Sequence, residues 1–219
     1  MNKLFSSAKA YLPAADHDWL LPLYDPVVKL LGADIARRAL LDQAKVQTGH
    51  RVLDIGCGTG TFAALIKKFH PDVDIVGLDP DPKALALAQR KSERSVIPIR
   101  FDQGFADDLP YPDASFDHVF STFMFHHLLA EKRKKTLCEV RRVLAPGRSF
   151  HLLDFTPEEV DRLGLLTRYF HSGEQLKDNS AERILRLMNE AGFVSCEKVR
   201  EGTMLCGILR IAYYQGRAA

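Results

Sequence analysis

The run Val52-Leu53-Asp54-Ile55-Gly56-Cys57-Gly58-Thr59-Gly60 limits what this chain can fold into more than any other segment. Arg51 to Ile55 reads as a strand ending in glycines, and Thr61 to Phe69 reads as a helix with Phe62, Leu65, Ile66 and Phe69 on one face. A glycine-rich turn between strand and helix lets backbone N–H groups approach a ligand at a positive helix end. Taken alone, Gly56-x-Gly58-x-Gly60 leaves several readings open. A dinucleotide loop wants G-x-G-x-x-G/A, and the sixth position here is Thr61, so that spacing fails. A tight turn that binds nothing also stays open.

The alternation of apolar runs with helical-period segments continues, which argues for a parallel α/β sheet. A second strand spans Asp74 to Leu78 and leads into Asp79-Pro80-Asp81-Pro82. Asp81 as N-cap with Pro82 at the first helical position opens an Ala-rich helix from Lys83 to Lys91. A third strand lies around Ile97 to Gln103, a loop follows from Gly104 to Ala114, and a fourth strand runs from Phe116 to Ser121. A helix from Glu131 to Leu144 is stopped by Ala145-Pro146-Gly147, which turns it into a fifth strand from Ser149 to Phe155. Pro157 to Phe170 and Ala181 to Gly192 read as helices, and the tail from Val194 to Tyr214 holds two more strand candidates around Gly202-Thr203. Residues 1–46 do not fit the alternation and read as a helical N-terminal cap on a domain spanning 47–219.

At 219 residues, 46% hydrophobic and 26% charged, the chain suits one globular domain. A net charge of +2 gives no electrostatic reason to expect nucleic acid. Cys57, Cys138, Cys196 and Cys206 lack any CxxC pairing, so no metal site is expected and reduced thiols in a cytoplasmic protein are the simpler reading. The apolar stretch Trp19-Leu20-Leu21-Pro22-Leu23-Tyr24 is too short, and too interrupted, for a transmembrane segment or signal peptide.

Asp79 falls at the end of the second strand, at the carboxyl edge where open α/β sheets bind ligands, and a carboxylate there can accept from both hydroxyls of a ribose. Asp81 takes the capping role, which leaves Asp79 for the ligand. Farther on comes Asp108-Leu109-Pro110-Tyr111-Pro112-Asp113-Ala114-Ser115-Phe116-Asp117, and then Glu139-Val140-Arg141-Arg142-Val143-Leu144-Ala145-Pro146-Gly147. Together with Val52 to Gly60 and Gly77-Leu78-Asp79, these segments make residues from about 50 to 155 resemble the class I S-adenosylmethionine-dependent methyltransferases. The branch most similar comprises ubiquinone/menaquinone-biosynthesis enzymes and related small-molecule methyltransferases.

The resemblance implies a Rossmann-like, seven-stranded, mostly parallel sheet with helices on both faces, binding S-adenosylmethionine and releasing S-adenosylhomocysteine. It implies that Asp54 holds the cofactor's amino-acid end, that Gly56, Cys57, Gly58 and Gly60 wrap the nucleoside, and that Asp79 and Pro80 border the ribose. Relatives often place an Asp before the Ala of the Leu-Pro segment to accept from the adenine amino group. Here that position is Phe105, so adenine recognition is expected from the Ala106 backbone and the Phe105 ring, with simple core packing as the other reading of Phe105.

The fourth strand leads through Ser121, a further candidate cofactor-binding residue, into Thr122-Phe123-Met124-Phe125-His126-His127-Leu128, where the fold of the resembling family faces the departing methyl group. The quinone-biosynthesis branch carries Arg-Asn where this chain has His126-His127. His126 is the candidate general base and the favoured substrate contact. His127 is a candidate substrate-binding residue as well, but a His at that second position is common in the wider class, and local hydrogen bonding is its favoured role. Structural roles stay open for both. His17 and Tyr24 of the cap are candidate pocket residues. Lys132-Arg133-Lys134-Lys135 reads as the solvated face of an amphipathic helix. The expected activity is methyl transfer to a small-molecule acceptor, lipophilic or aromatic given Trp19, Phe123, Met124 and Phe125. Two alternatives stay open: a nucleic-acid or protein acceptor, and a non-catalytic cofactor-binding protein.

Overall fold

The computed structural model describes residues 32–95, 98–157, 179–205 and 207–219. Along them run α1 (Ala33–Ala44), β1 (Arg51–Ile55), α2 (Thr61–Phe69), β2 (Asp74–Asp79), α3 (Pro82–Ser95), β3 (Arg100–Gln103), β4 (Phe116–Thr122), α4 (Ala130–Val143), β5 (Leu144–Phe155), α5 (Ala181–Glu190), β6 (Phe193–Met204) and β7 (Leu209–Ala218). The seven strands form one sheet in the order β3-β2-β1-β4-β5-β7-β6. The first five in that order pair in parallel, while β7 runs antiparallel to both β5 and β6. The Rossmann-like, mostly parallel sheet expected from the sequence is the one observed.

Strand side chains alternate between faces, and this chain uses the alternation to build two apolar layers. Val52, Ile75, Phe120, Leu153 and Ile211 enter one layer, where α1 and α2 add Leu40, Leu41, Phe62 and Ile66. Leu53, Val76, Val119, Leu152 and Ala212 enter the other, closed by Leu137 and Val140 of α4 and Ile184 and Met188 of α5. Helices therefore cover both faces. Residues 32–46, read as the end of the cap, share the first layer with Phe62 and Phe120 through Leu40 and Val46. Residues 1–31, with His17 and Tyr24, lie outside the described residues, as does the expected helix from residue 158 onward.

Three boundaries differ from expectation. β3 is confined to Arg100–Gln103, since Pro98 has no N–H to give to a ladder. The Ala145-Pro146-Gly147 stop is absorbed into β5, which already pairs Leu144 with Phe116 and then shifts register before His118. In the tail, Gly202 and Thr203 sit inside β6 paired with Ile211 and Arg210, and the reversal falls after Met204.

β1 lies between β2 and β4, so consecutive connections depart to opposite sides of it. That switch point opens a crevice at the carboxyl ends of the strands, where ligands of this architecture bind.

At the opposite end of β4 and β5 is a chain of imidazoles. His50 Nδ1 lies 3.0 Å from His118 Nε2, and Ser149 Oγ bridges His118 Nδ1 at 3.2 Å and His151 Nε2 at 2.8 Å. Burial first, then the neighbouring His50, holds His118 down to about 4, and burial followed by His118 holds His151 down to about 3. Both are thus neutral when folded at pH 7 and bind protons more readily when unfolded. Stability is present above the unfolded value near 6.5 and falls as pH drops from there toward 4 and 3. Urea unfolding at pH 7.5 and pH 5 is expected to show a loss of about 2 kcal/mol per histidine over that interval. H151Q is expected to shrink the loss; an unchanged pH dependence in H151Q contradicts the assignment.

Candidate cofactor-binding site

The crevice is a cleft of about 320 Å³. Of the residues expected to bind a cofactor, it brings together Gly56, Cys57, Gly58, Asp79, Pro80, Phe105 and Ala106, with His127 on the same wall. Asp54, Gly60, Ser121 and His126 stand behind that wall instead. Side chains alternate along β4, so Ser121 is buried in the sheet and Thr122, one step on, lines the cleft.

The glycines have different reasons to be glycine. Gly58 has φ +52, and a Cβ there would meet nothing within 4 Å, so the turn presents open backbone to the cleft. Gly60 has φ +74, and a Cβ would come within 2.8 Å of Phe101 and 2.9 Å of Ala88. Gly60 thus lets α2 pack closely rather than forming the wall.

Asp79 is not the free carboxylate expected. Its Oδ2 accepts from the Gly58 N–H at 2.8 Å and its Oδ1 from the Asp81 N–H at 2.9 Å. It therefore fixes the shape of the glycine turn, while each oxygen keeps a further lone pair for a ligand hydroxyl. Asp81 accepts from the Lys83 N–H at 2.8 Å, the N-cap of α3 expected from the sequence. Burial, then the Asp54 and Asp79 charges, pushes the Cys57 thiol up, so it is a protonated wall rather than a nucleophile.

Phe105 and Ala106 belong to a loop gripped from α4. Glu139 accepts from the Leu109 N–H at 2.9 Å. Arg142 donates to both Glu139 oxygens at 2.9 and 2.7 Å, to the carbonyls of Tyr111 at 2.8 Å and Leu109 at 3.0 Å, and to Asp113 at 2.8 Å. The Lys132 ammonium stands 5.5 Å from the Phe105 ring. Asp107, buried on the same wall, places a carboxylate two residues from the position at which relatives carry theirs.

At the other end of the cleft, the turn after β4 is held from two sides. His126 is buried, with Nδ1 at 2.5 Å from Asp154 Oδ1 and its backbone N–H at 2.8 Å from Asp154 Oδ2. Arg133 is buried as well and donates to the carbonyls of Leu128 at 3.1 Å and His126 at 3.3 Å. The sequence placed the reactive histidine at 126 and Arg133 on a solvated face; the fold puts both in the core and His127 at the cleft. Arg133 was readable from periodicity, because it shares a helical face with Leu137 and Val140. Phe123, in the same turn, has φ +55, a strained conformation for a bulky side chain that tends to collect at functional sites.

Asp54 lies under the floor, fully buried, and neither carboxylate oxygen makes a hydrogen bond of good geometry. Burial pushes its carboxyl up to about 7; the Arg37 guanidinium opposes the shift and the Asp79 charge adds to it. Arg37 is a residue the sequence reading missed, contributed to the cleft wall by α1. A nucleoside carrying a zwitterionic amino acid fits this set: open backbone at Gly58, spare lone pairs on Asp79, and buried charges of both signs.

A folded value above the unfolded one means that Asp54 adds stability only while protonated, and that this is lost as pH rises through 7. D54N is therefore expected to raise Tm at pH 8 by several degrees and to weaken S-adenosylhomocysteine binding about tenfold or more. Thermal melts and calorimetric titration check this; an unchanged affinity contradicts a role in holding the donor.

Residues 52–147 match the family described as a methyltransferase domain. The demethylmenaquinone methyltransferase of Thermus thermophilus is 38% identical over 154 residues, which cover 69% of this chain and 69% of that protein. The enzyme of the same name from Deinococcus radiodurans is 38% identical over 154 residues, 69% of this chain and 63% of its own length. A crystal structure of an S-adenosylmethionine-dependent methyltransferase from Aquifex aeolicus superposes with a TM-score of 0.72 at 19% identity, covering 93% of this chain and 99% of that one. With the glycine turn, Asp79 and the Leu109 loop set around one cleft, the chain belongs to the class I S-adenosylmethionine-dependent methyltransferases.

Proposed function

We propose that the acceptor is a small lipophilic molecule and that His127 takes the proton it gives up. The carrying observation is the cleft wall beside His127, made by Phe123, Met124, Leu128 and Leu129. An apolar wall carrying an imidazole suits an aromatic or aliphatic body bearing one nucleophilic atom. The Thermus and Deinococcus relatives, named for demethylmenaquinone, support an acceptor of this class. The histidine pair standing where the quinone branch carries Arg-Asn supports a different proton path from theirs.

S-adenosylmethionine, when bound, supplies an electrophilic methyl group on a sulfonium. The chain's own part is to hold the acceptor in line with that carbon and to keep water out. Asp154 and Arg133 fix the turn that carries His127, and Phe123 closes the wall between them. In this reading His126 acts through its bond to Asp154, as a positioning residue for its neighbour, rather than on the acceptor.

A nucleic-acid acceptor is less well supported, because the basic run of α4 is not a free basic face. Arg133 is buried, Lys134 pairs with Glu190 at 3.2 Å, and Arg142 is spent on the Leu109 loop. No helix among the described residues is long and apolar enough to cross a membrane. The free thiols Cys57, Cys138 and Cys196 support a cytoplasmic setting.

Transfer of tritiated methyl from the donor to pooled metabolites, lipids, RNA and protein tests the reading. Label is expected in a lipophilic small-molecule fraction. H127A is expected to lower kcat about 100-fold near pH 7 with donor binding unchanged. Label confined to RNA or protein, no label at all, or an H127A profile equal to wild type across pH would each contradict the proposal.

A further inference from the structure

Hairpin turns are where glycine and polar residues gather. The reversal between β6 and β7 instead reads Met204-Leu205-Cys206-Gly207-Ile208-Leu209, with no charged or hydroxyl-bearing side chain. Leu205 holds φ +48, a left-handed conformation that suits Gly or Asn and strains a leucine. Leu205 and Leu209 are half-buried, and Ile208 is 43% exposed. The tip closes its own backbone bonds: the Gly207 N–H donates to the Met204 carbonyl at 3.2 Å and the Ile208 N–H to the Leu205 carbonyl at 3.1 Å. Phe155 pairs with Ile211, and Met204 with Leu209, so the tip projects at the carboxyl edge that holds the cleft. One apolar layer joins the two. Met204, Leu209 and Ile211 pack in the cluster of Phe155 and Phe123, whose rings lie 5.0 Å apart, and Phe123 lines the cleft. Helices α1 and α4 lead into the amino ends of β1 and β5, so both begin at this same edge. Their first turns place Ile35 and Leu129 there, 78% and 47% exposed.

We infer that this edge docks on an anionic lipid surface, with the β6–β7 tip entering the boundary between headgroups and acyl chains. Residues 198–210 carry three cations, Lys198, Arg200 and Arg210, against one acid, Glu201, and all four are exposed. Apolar residues flanked by cations bind such a surface on two terms: the apolar tip sinks to the acyl boundary and the cations stay at the phosphates. A turn that enters this layer needs its N–H groups bonded within the chain, as those of Gly207 and Ile208 are. The acids of the cleft, Asp79, Asp81 and Asp107, are buried and do not oppose the approach. The choice of lipid over a protein partner rests on the proposed lipophilic acceptor, which would pass from the bilayer to the cleft without crossing water.

Co-sedimentation of wild type, I208D and R210Q with phosphatidylcholine–phosphatidylglycerol vesicles, and with phosphatidylcholine vesicles alone, tests the docking. Wild type is expected to bind the anionic vesicles, and more weakly as salt rises. I208D is expected to lose about tenfold or more in vesicle affinity. R210Q is expected to lose about fivefold, on the anionic vesicles only. Away from lipid, I208D is expected to keep the wild-type Tm and affinity for S-adenosylhomocysteine, because Ile208 is exposed. No vesicle binding by wild type, or equal binding by I208D, overturns the inference. A lower Tm in I208D assigns the tip to packing within the chain and overturns it too. So does a wild-type dimer that I208D dissociates, which assigns the tip to a second copy. Methyl label in the lipophilic fraction without vesicle binding overturns the docking and leaves the proposed acceptor standing. Vesicle binding with label confined to RNA or protein supports the docking and overturns that acceptor.

Discussion

The Asp79 carboxylate accepts one N–H from the glycine turn after β1 and another from the start of α3. These two bonds tie neighbouring strand ends into one rigid rim. Without them the Gly58 N–H would compete for any ligand, and the turn, with little side-chain packing of its own, would lose its shape. The rim works because β1 is flanked by β2 and β4 at the switch point, so that Ile55, Asp79 and Thr122 end at one edge. Cofactor affinity, on this account, rests on a carboxylate whose first task is structural and whose remaining lone pairs serve the ligand.

Two guanidiniums extend the same principle to the flexible parts of the wall. Arg142 gathers the Leu109–Asp113 loop with Glu139, and Arg133 gathers the turn carrying His126 and His127 with help from Asp154. Each binds backbone carbonyls that the sheet cannot reach. Loops that must approach a ligand closely cannot be stapled by bulky apolar packing, and charge-assisted bonds from helix α4 do that work from behind. Of the side chains thus held, Phe105 differs from the commoner pattern of the family, so the scaffold is kept while the recognising surface varies.

Much of the fold was legible. Strand–turn–helix punctuation located β1, α2, β2, α3 and β4 to within a few residues, because burial on both faces forces short apolar runs between turn residues. The Asp81-Pro82 cap was readable for the same local reason. The bulge in β5 and the reversal after Met204 were not, since both depend on which partner strand lies alongside. In the site, backbone-driven positions such as Gly58 and Asp79 were legible from type and spacing. The sequence reading favoured His126 over His127, but adjacent residues share a composition signal, and only the Asp154 partner, 28 residues away, decides which ring turns inward. Arg37 was missed because a cationic residue on an amphipathic helix looks solvated until the opposing strand ends are in place.

The cleft at the carboxyl edge of β1, β2 and β4 is the place where S-adenosylmethionine is expected to bind. A crystal structure of the S-adenosylhomocysteine complex tests it most directly. Ribose hydroxyls are expected on Asp79, the nucleoside against the Gly58 backbone, adenine beside Phe105 and the amino-acid arm toward Asp54. A ligand bound elsewhere, or ribose hydroxyls out of reach of Asp79, would contradict it.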